Sequence, residues 1–274
     1  MTSPDRLRFT LLGTGSSGGV PRVGNDWGVC DPNEPRNRRR RCSALLDVLA
    51  AAQPDLVTRI LIDTSPDLRE QLLAARVNRL DAVVFTHDHA DQTHGIDDIR
   101  ALAITMRRQL RAYLDADTQS TLIPKFRYCF EGSGGYPPIL ERQPLIEAFT
   151  TFEIDGPGGS CALLPLDQEH GRIRSLGFRI SGLAYCNDLN GLPERSLDNL
   201  QGLDVLVIDA LRYTPHPSHA NLEQTLAWID QLKPRRAVLT NLHVDMDFET
   251  LRRDLPNGVE PGFDGMEIEL DYAS

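Results

Sequence analysis

The chain has 274 residues, enough for one large domain or two small ones, and its 41% hydrophobic content allows a substantial core. A net charge of −10, from 29 basic and 39 acidic residues, argues against broad nucleic-acid coating, which needs a basic surface. No apolar run approaches the ~20 residues of a membrane span, and the start Met1-Thr2-Ser3-Pro4-Asp5-Arg6 lacks the basic and apolar regions of a signal peptide, so a cytoplasmic protein is expected.

In chain order, Leu7 to Leu12 reads as a strand. Gly13-Thr14-Gly15-Ser16-Ser17-Gly18-Gly19 then matches G-x-G-x-x-G literally. A dinucleotide fingerprint opens a helix, whereas Val20-Pro21 and Gly24-Asn25-Asp26 are loop signals. A Rossmann site is therefore rejected, and a glycine loop lining some other phosphate site stays open. Arg36 to Arg41 carries five arginines in six residues. It reads either as a solvated loop or as a phosphate-facing rim, because arginine pairs phosphate oxygens bidentately. Cys42 to Leu49 and Arg59 to Ile62 are predicted strands, and Pro66 to Ala75 a helix.

Leu80 to Phe85 holds the apolar run Ala82-Val83-Val84-Phe85, a buried strand. It delivers the densest chemistry of the chain, Thr86-His87-Asp88-His89-Ala90-Asp91-Gln92-Thr93-His94-Gly95. Asp97 to Leu110 is predicted as a helix, and the glycine- and proline-rich stretch Phe130 to Pro138 as a mobile loop. The second half repeats strands that end in polar residues. Cys161 to Leu166 leads to His170, Leu176 to Ile180 and Leu183 to Cys186 to Asp188, Leu203 to Ile208 to Asp209, and Ala237 to Thr240 to Asn241 and His243. Between them, Leu222, Leu226, Ile229 and Leu232 mark a helix, with Ser218 the expected N-cap and His219 in its first turn. His216 is left in the loop. Strands mixed with helices, without a composition break, predict one α/β domain over residues 1–274.

Imidazole and carboxylate together suit a divalent transition metal. His87 and His89 are two apart, so in an extended loop they point to one side. Open sheets place their sites beyond strand C-termini, so ligand types carried by four strand ends could converge. The five cysteines include no C-x-x-C pair, so neither a disulfide framework nor a thiolate zinc site is indicated.

These residues resemble a known family. His87-x-His89-x-Asp91, the later His170 and Asp188, and the early Asp63 are similar to the metal signature of the metallo-β-lactamase fold. The opening Leu11-Leu12-Gly13-Thr14-Gly15-Ser16-Ser17-Gly18-Gly19-Val20-Pro21 and the ending Glu260-Pro261-Gly262-Phe263-Asp264-Gly265-Met266-Glu267-Ile268-Glu269 look like its phosphodiesterase subgroup. That subgroup includes the phosphoribosyl cyclic phosphate phosphodiesterases of phosphonate breakdown; tRNA-maturation endonucleases are more distant kin. The resemblance implies a four-layer αββα sandwich with one or two divalent ions, Zn or Mn, along one edge. His87, His89 and His170 would hold the first ion, Asp188 would bridge, and Asp91 would bind the second. Asp63 would orient a ligand histidine, or else simply cap a turn.

Two departures fall on the second ion. Gln92 and Asn241 stand where the family usually has histidine. The second site could hold a harder metal through Asp91, Asp188 and amide oxygens, be rebuilt with His94 or His243, or be empty. The extra cysteine zinc site of relatives is not reproduced, since only Cys30 remains near Gly24 to Asp31. His219 matches by position a histidine with acid–base or phosphate-contact duty. A helix N-terminus disfavours imidazolium, yet a general acid must start protonated.

The resemblance implies a metal-dependent phosphodiesterase for small, including cyclic or nucleotide-like, phosphodiesters, with metal-bound hydroxide attacking phosphorus, Asp91 positioning the nucleophile or its metal, and His219 protonating the departing alkoxide. Extended nucleic acid and membranes are not expected partners; a homodimer is compatible. Two alternatives stay open: a nucleotide- or metal-binding homologue that has lost turnover, and hydrolysis of thioesters, lactones or lactams on the same fold.

Overall fold

A computed structural model describes residues 5–50 and 53–272. The elements run β1 (Arg6–Gly13), β2 (Ser43–Ala50), β3 (Gln53–Ile62), α1 (Leu68–Ala74), β4 (Ala82–Val84), α2 (Ala90–Thr93), α3 (Arg100–Met106), β5 (Leu110–Tyr113), α4 (Ala116–Lys125), α5 (Arg127–Glu131) and β6 (Leu140–Arg142). They continue with β7 (Phe152–Ile154), β8 (Cys161–His170), β9 (Ile173–Ile180), β10 (Leu183–Cys186), α6 (Glu194–Asn199), β11 (Val205–Asp209), α7 (Leu222–Leu232), β12 (Arg236–Thr240), α8 (Phe248–Asp254), β13 (Val259–Pro261) and β14 (Glu267–Asp271).

Two seven-stranded sheets result, ordered β14-β1-β2-β3-β4-β5-β6 and β13-β12-β11-β10-β9-β8-β7. The period of two along a strand decides which layer each side chain joins. Phe9, Leu46, Ile60 and Val84 from the first sheet meet Phe178, Tyr185, Val207 and Val238 from the second, so the central core lies between the sheets. Leu45, Leu61 and Val83 face the other way, onto Leu68 and Leu72 of α1 and Ala103 of α3. Ala184, Leu206 and Leu239 likewise meet Ile229 and Leu232 of α7 and Leu251 of α8. Strands apolar on both faces therefore force helices onto both outer surfaces, and the architecture is the α/β, four-layer αββα sandwich.

Three local expectations are corrected. The predicted helix Asp97 to Leu110 is shorter: a 3-10 turn at Ile96–Ile99 leads into α3, Arg107 turns left-handed at φ 53°, and Leu110 already belongs to β5. Leu110 and Ala112 are buried against the outer helices as members of a strand parallel to β4, and that packing outweighs helix propensity. The N-cap of α7 is Asn221, whose side-chain oxygen accepts from Gln224 N at 2.9 Å, and not Ser218. His219 thus lies in the bent loop before the helix, where Ala220 N donates to Leu189 O at 2.6 Å. Phe130, predicted to open a loop, is instead in α5.

Candidate metal centre and active site

Each sheet sends the ends of its strands to one edge of the sandwich. β3 ends before Asp63, β4 before the histidine loop, β8 at His170, β10 before Asp188, β11 at Asp209 and β12 before Asn241. Asp63, Asp188 and Asn241 all adopt positive φ, at 61°, 53° and 62°. Non-glycine residues rarely do so, Asn and Asp most readily among them. The sharp reversal keeps each polar side chain at the edge.

The His87, His89 and His170 rings pack mutually edge-on, with centroids 4.6–5.1 Å apart. His87 is buried, and its Nδ1 lies 3.0 Å from Thr86 Oγ1. Thr86 in turn donates from N and Oγ1 to the two Asp63 oxygens, both at 2.8 Å. This relay fixes the proton on His87 Nδ1 and leaves Nε2 a buried lone pair with no protein partner. Burial, reinforced by His170 and His89, holds His87 well below the usual histidine range. His170 is pushed down to about 4, by burial first and His219 next. Its Nδ1–H donates to Ser218 O at 2.7 Å, so its Nε2 lone pair faces His89 Nδ1 at 3.2 Å. Three converging imidazoles, with His87 and His170 held neutral by burial, are what a divalent cation fits.

Asp188 adjoins this trio, with Oδ2 3.9 Å from His87 Nε2. Burial raises its carboxyl well above the usual range, and a cation there would restore the carboxylate. Its Oδ1 accepts from Asn241 Nδ2 at 2.8 Å and lies 3.5 Å from His219 Nδ1. Among the described residues, two overlapping groups could hold a divalent ion, His87-His89-His170 and His170-Asp188-His219.

His219 reaches the edge because the loop between β11 and α7 is tied down. Ser218 O binds His170, Pro217 O accepts from Asn190 Nδ2 at 2.9 Å, and Leu211 N donates to Ala220 O at 3.0 Å. Gly171 lets that loop approach: it has φ +63°, and a Cβ there would sit 2.8 Å from Ser218 Cβ. His219 Nδ1 lies 2.8 Å from Asp209 Oδ2. Burial works against the charged ring, but Asp209, with Asp188 and Asp91, outweighs it and raises the histidine to about 9. Outside the helix, and facing carboxylates, His219 escapes the helix-terminus conflict.

Asp209 was legible only as another polar residue at a strand end; its pairing with His219 had no local signal. Asp91 opens α2 beside the trio, but belongs to neither three-residue group. Gln92 is buried, donating from Nε2 to Asp91 Oδ2 at 3.3 Å, with Oε1 lacking a partner. His94 is exposed and packs edge-on against Phe126. His243 has both ring nitrogens engaged, Nδ1 by Asp245 and Nε2 by Arg22 at 3.2 Å. Neither joins the cluster. The glycine loop is a packing device: Gly15 N donates to Arg40 O, and a Cβ at Gly15 would lie 2.9 Å from Arg39 Cβ. In the arginine run, Arg36 pairs with Glu34 and Glu249, Arg40 with Asp264 and Arg41 with Asp67, while Arg39 is buried. Arg36, Arg40 and Arg41 thus clamp their own chain, while Arg38 is exposed.

Residues 58–241, more than half of the chain, match the model of the beta-lactamase superfamily domain. The chain belongs to the metallo-β-lactamase superfamily. Among solved members, the crystal structure of a new diphosphatase from the PhnP family matches with a TM-score of 0.87 and 32% identity, over 98% of this chain and 99% of that one. The protein is thereby a close relative within the PhnP branch of the superfamily. Zn(2+)-bound PqqB from Methylobacterium extorquens shares the fold, with a TM-score of 0.71 and 18% identity over 96% of this chain and all of the other. A curated octanoyltransferase of Porphyromonas gingivalis (strain ATCC BAA-308 / W83) is 33% identical over 97% of this chain but only 52% of its own length. The chain therefore spans about half of that relative. The superfamily membership and the histidine–aspartate groups agree in placing a divalent-metal centre's ligand types at this edge. No helix among the described residues is long and apolar enough to cross a membrane.

Proposed function

We propose that the protein hydrolyses small phosphodiesters or diphosphates, cyclic ribose phosphates and nucleotide-like molecules among them. The observation that carries this reading is the pairing of three converging imidazoles with a separate imidazole, His219, backed by the Asp209 carboxylate. The diphosphatase of the PhnP family supports the phosphate class.

In this reading His87, His89, His170 and Asp188 hold a divalent ion, Zn²⁺ or Mn²⁺. A divalent ion bound there supplies Lewis acidity, lowering the pKa of water toward ~7 and neutralising phosphoryl oxygens. Asp91, at the start of α2, accepts a hydrogen bond from the attacking water and orients it. His219 keeps its Nδ1 proton on Asp209 and donates from Nε2 to the leaving oxygen, so the alkoxide never departs as a free anion. Asp209 fixes that tautomer and favours the charged ring.

The test is hydrolysis of bis(p-nitrophenyl) phosphate by metal-stripped protein titrated separately with Zn²⁺, Mn²⁺ and Mg²⁺. Turnover should return with metal, vanish in Asp188→Ala, and fall by about 10²–10⁴ in His219→Ala. Full activity in Asp188→Ala would overturn the mechanism.

The octanoyltransferase relative favours a second reading, hydrolysis of an acyl thioester or ester by the same centre. The groups brought together at this edge are imidazoles, carboxylates and amides, which suit an anionic phosphoryl group better than an acyl chain. Faster turnover of p-nitrophenyl octanoate than of the phosphodiester would reverse that order.

A further inference from the structure

We infer that this centre takes a single divalent ion, and that the N–H groups of Asn241 and His219, donated to Asp188 and Asp209, occupy the place where a binuclear centre would put its second. The inference deepens the hydrolase reading above and concerns the same site. Asp188 is the pivot. A bridging carboxylate must turn a free lone pair toward each ion. Oδ2 accepts from Asn187 Nδ2 at 3.1 Å and still faces His87 Nε2 at 3.9 Å, whereas Oδ1 is flanked by two donors, the Asn241 amide at 2.8 Å and His219 Nδ1 at 3.5 Å.

That amide is not free to present its oxygen instead. Asn241 is buried at φ 62°, and its Nδ2 sits between Asp188 Oδ1 and His219 Nδ1, 3.0 Å from the latter. Turning the amide over would set its oxygen against the Asp188 carboxylate. His219 Nδ1 is in turn held by Asp209 at 2.8 Å, and Asp209 Oδ2 also accepts from Leu189 N at 3.2 Å. The donors left for a second ion are Asp91 and the unpartnered Gln92 Oε1. One carboxylate and one amide oxygen fall short of the three or four protein ligands that hold zinc. The first cluster, by contrast, keeps three imidazoles, with His87 and His170 anchored through Nδ1 by Thr86 and Ser218.

The experiment counts ions on the whole protein without substrate. Metal-stripped protein is reloaded with excess Zn²⁺ or Mn²⁺, desalted, and its metal per chain measured by elemental analysis. The Mn²⁺ form is also read by electron paramagnetic resonance. One ion per chain and the spectrum of an isolated Mn²⁺ are expected; two ions per chain, an exchange-coupled pair, or no retained ion would overturn the inference. The double variant Gln92→His, Asn241→His should raise the count from one to two, and a folded double variant that still binds one would also overturn it. Should that variant not fold, the shape-conserving Asn241→Asp replaces the blocking N–H by a carboxylate oxygen. It should bind a second Mn²⁺, and a count still at one would refute the role given to Asn241. Failure of the phosphodiester assay would leave these counts unchanged, so the two readings fail separately.

Discussion

His219 Nδ1 lies 2.8 Å from Asp209 Oδ2, a contact made between the end of β11 and the loop that follows it. It gives a mobile proton a fixed address. The ring is raised to about 9 against the cost of burial, above the ordinary ~6.5. In the metal-free protein the folded state therefore binds this proton more tightly than the unfolded state. Its stabilising contribution is fully present below pH ~6.5 and is lost as the pH rises through about 9. Titration of the His219 ring by NMR in metal-stripped protein should show protonation at neutral pH, and Asp209→Asn should return the midpoint toward ~6.5. An unmoved midpoint would remove Asp209 from its assigned place.

Thr86 connects Asp63 to His87 through one hydroxyl, with 2.8 Å and 3.0 Å contacts. Thr86→Val keeps the shape and deletes the relay. Metal affinity should fall by about 10–100-fold, as for other partners of ligand histidines. Competition with a chelating dye measures it, and wild-type affinity would show that burial alone orients His87.

Gly95 closes the histidine loop against the turn between β3 and α1. A Cβ there would stand 2.0 Å from Ser65 O and 2.8 Å from Leu68 Cβ. Because the clash is with backbone, it cannot be relieved by a rotamer. Gly95→Ala should destabilise the protein by about 1–3 kcal/mol in urea unfolding, the cost of overpacking. It should also weaken metal binding, because Gly95 N donates to Thr64 O beside Asp63. Unchanged stability would mean that the loop has room to shift.

Asn221, which caps α7, carries a purely local prediction. Asn221→Ala removes the bond to Gln224 N and should cost about 1 kcal/mol. Ser218→Ala, the substitution that a cap at Ser218 would make costly, should cost less. The reverse order in thermal unfolding would move the start of the helix back toward His219.

Much of this protein is determined locally. The density of His87, His89 and Asp91, and the arrival of His170, Asp188, Asp209 and Asn241 each at a strand end, are properties of the chain. So is the apolar patterning that demands cover on both faces of the central strands. Those features sufficed to anticipate an α/β domain with ligand-type residues at its strand ends, because side-chain period and strand termination are short-range effects; the αββα layering was implied only by the resemblance to the metallo-β-lactamase family. Tertiary structure alone decided which of these residues meet. His94 and His243, near in sequence to the altered positions, are turned to Phe126 and to Asp245 and Arg22. Asp209, unremarkable in sequence, becomes the partner of His219. In the arginine run, which read as a solvated loop or a phosphate rim, Arg36, Arg40 and Arg41 are engaged by Glu34, Glu249, Asp264 and Asp67. The helix start shifted by three residues because the loop carrying His219 is tied down by His170 and Leu189. The physical reason is common to all four. A side chain's partner depends on distances between segments far apart in the chain, and those distances exist only once both sheets have packed around their shared core.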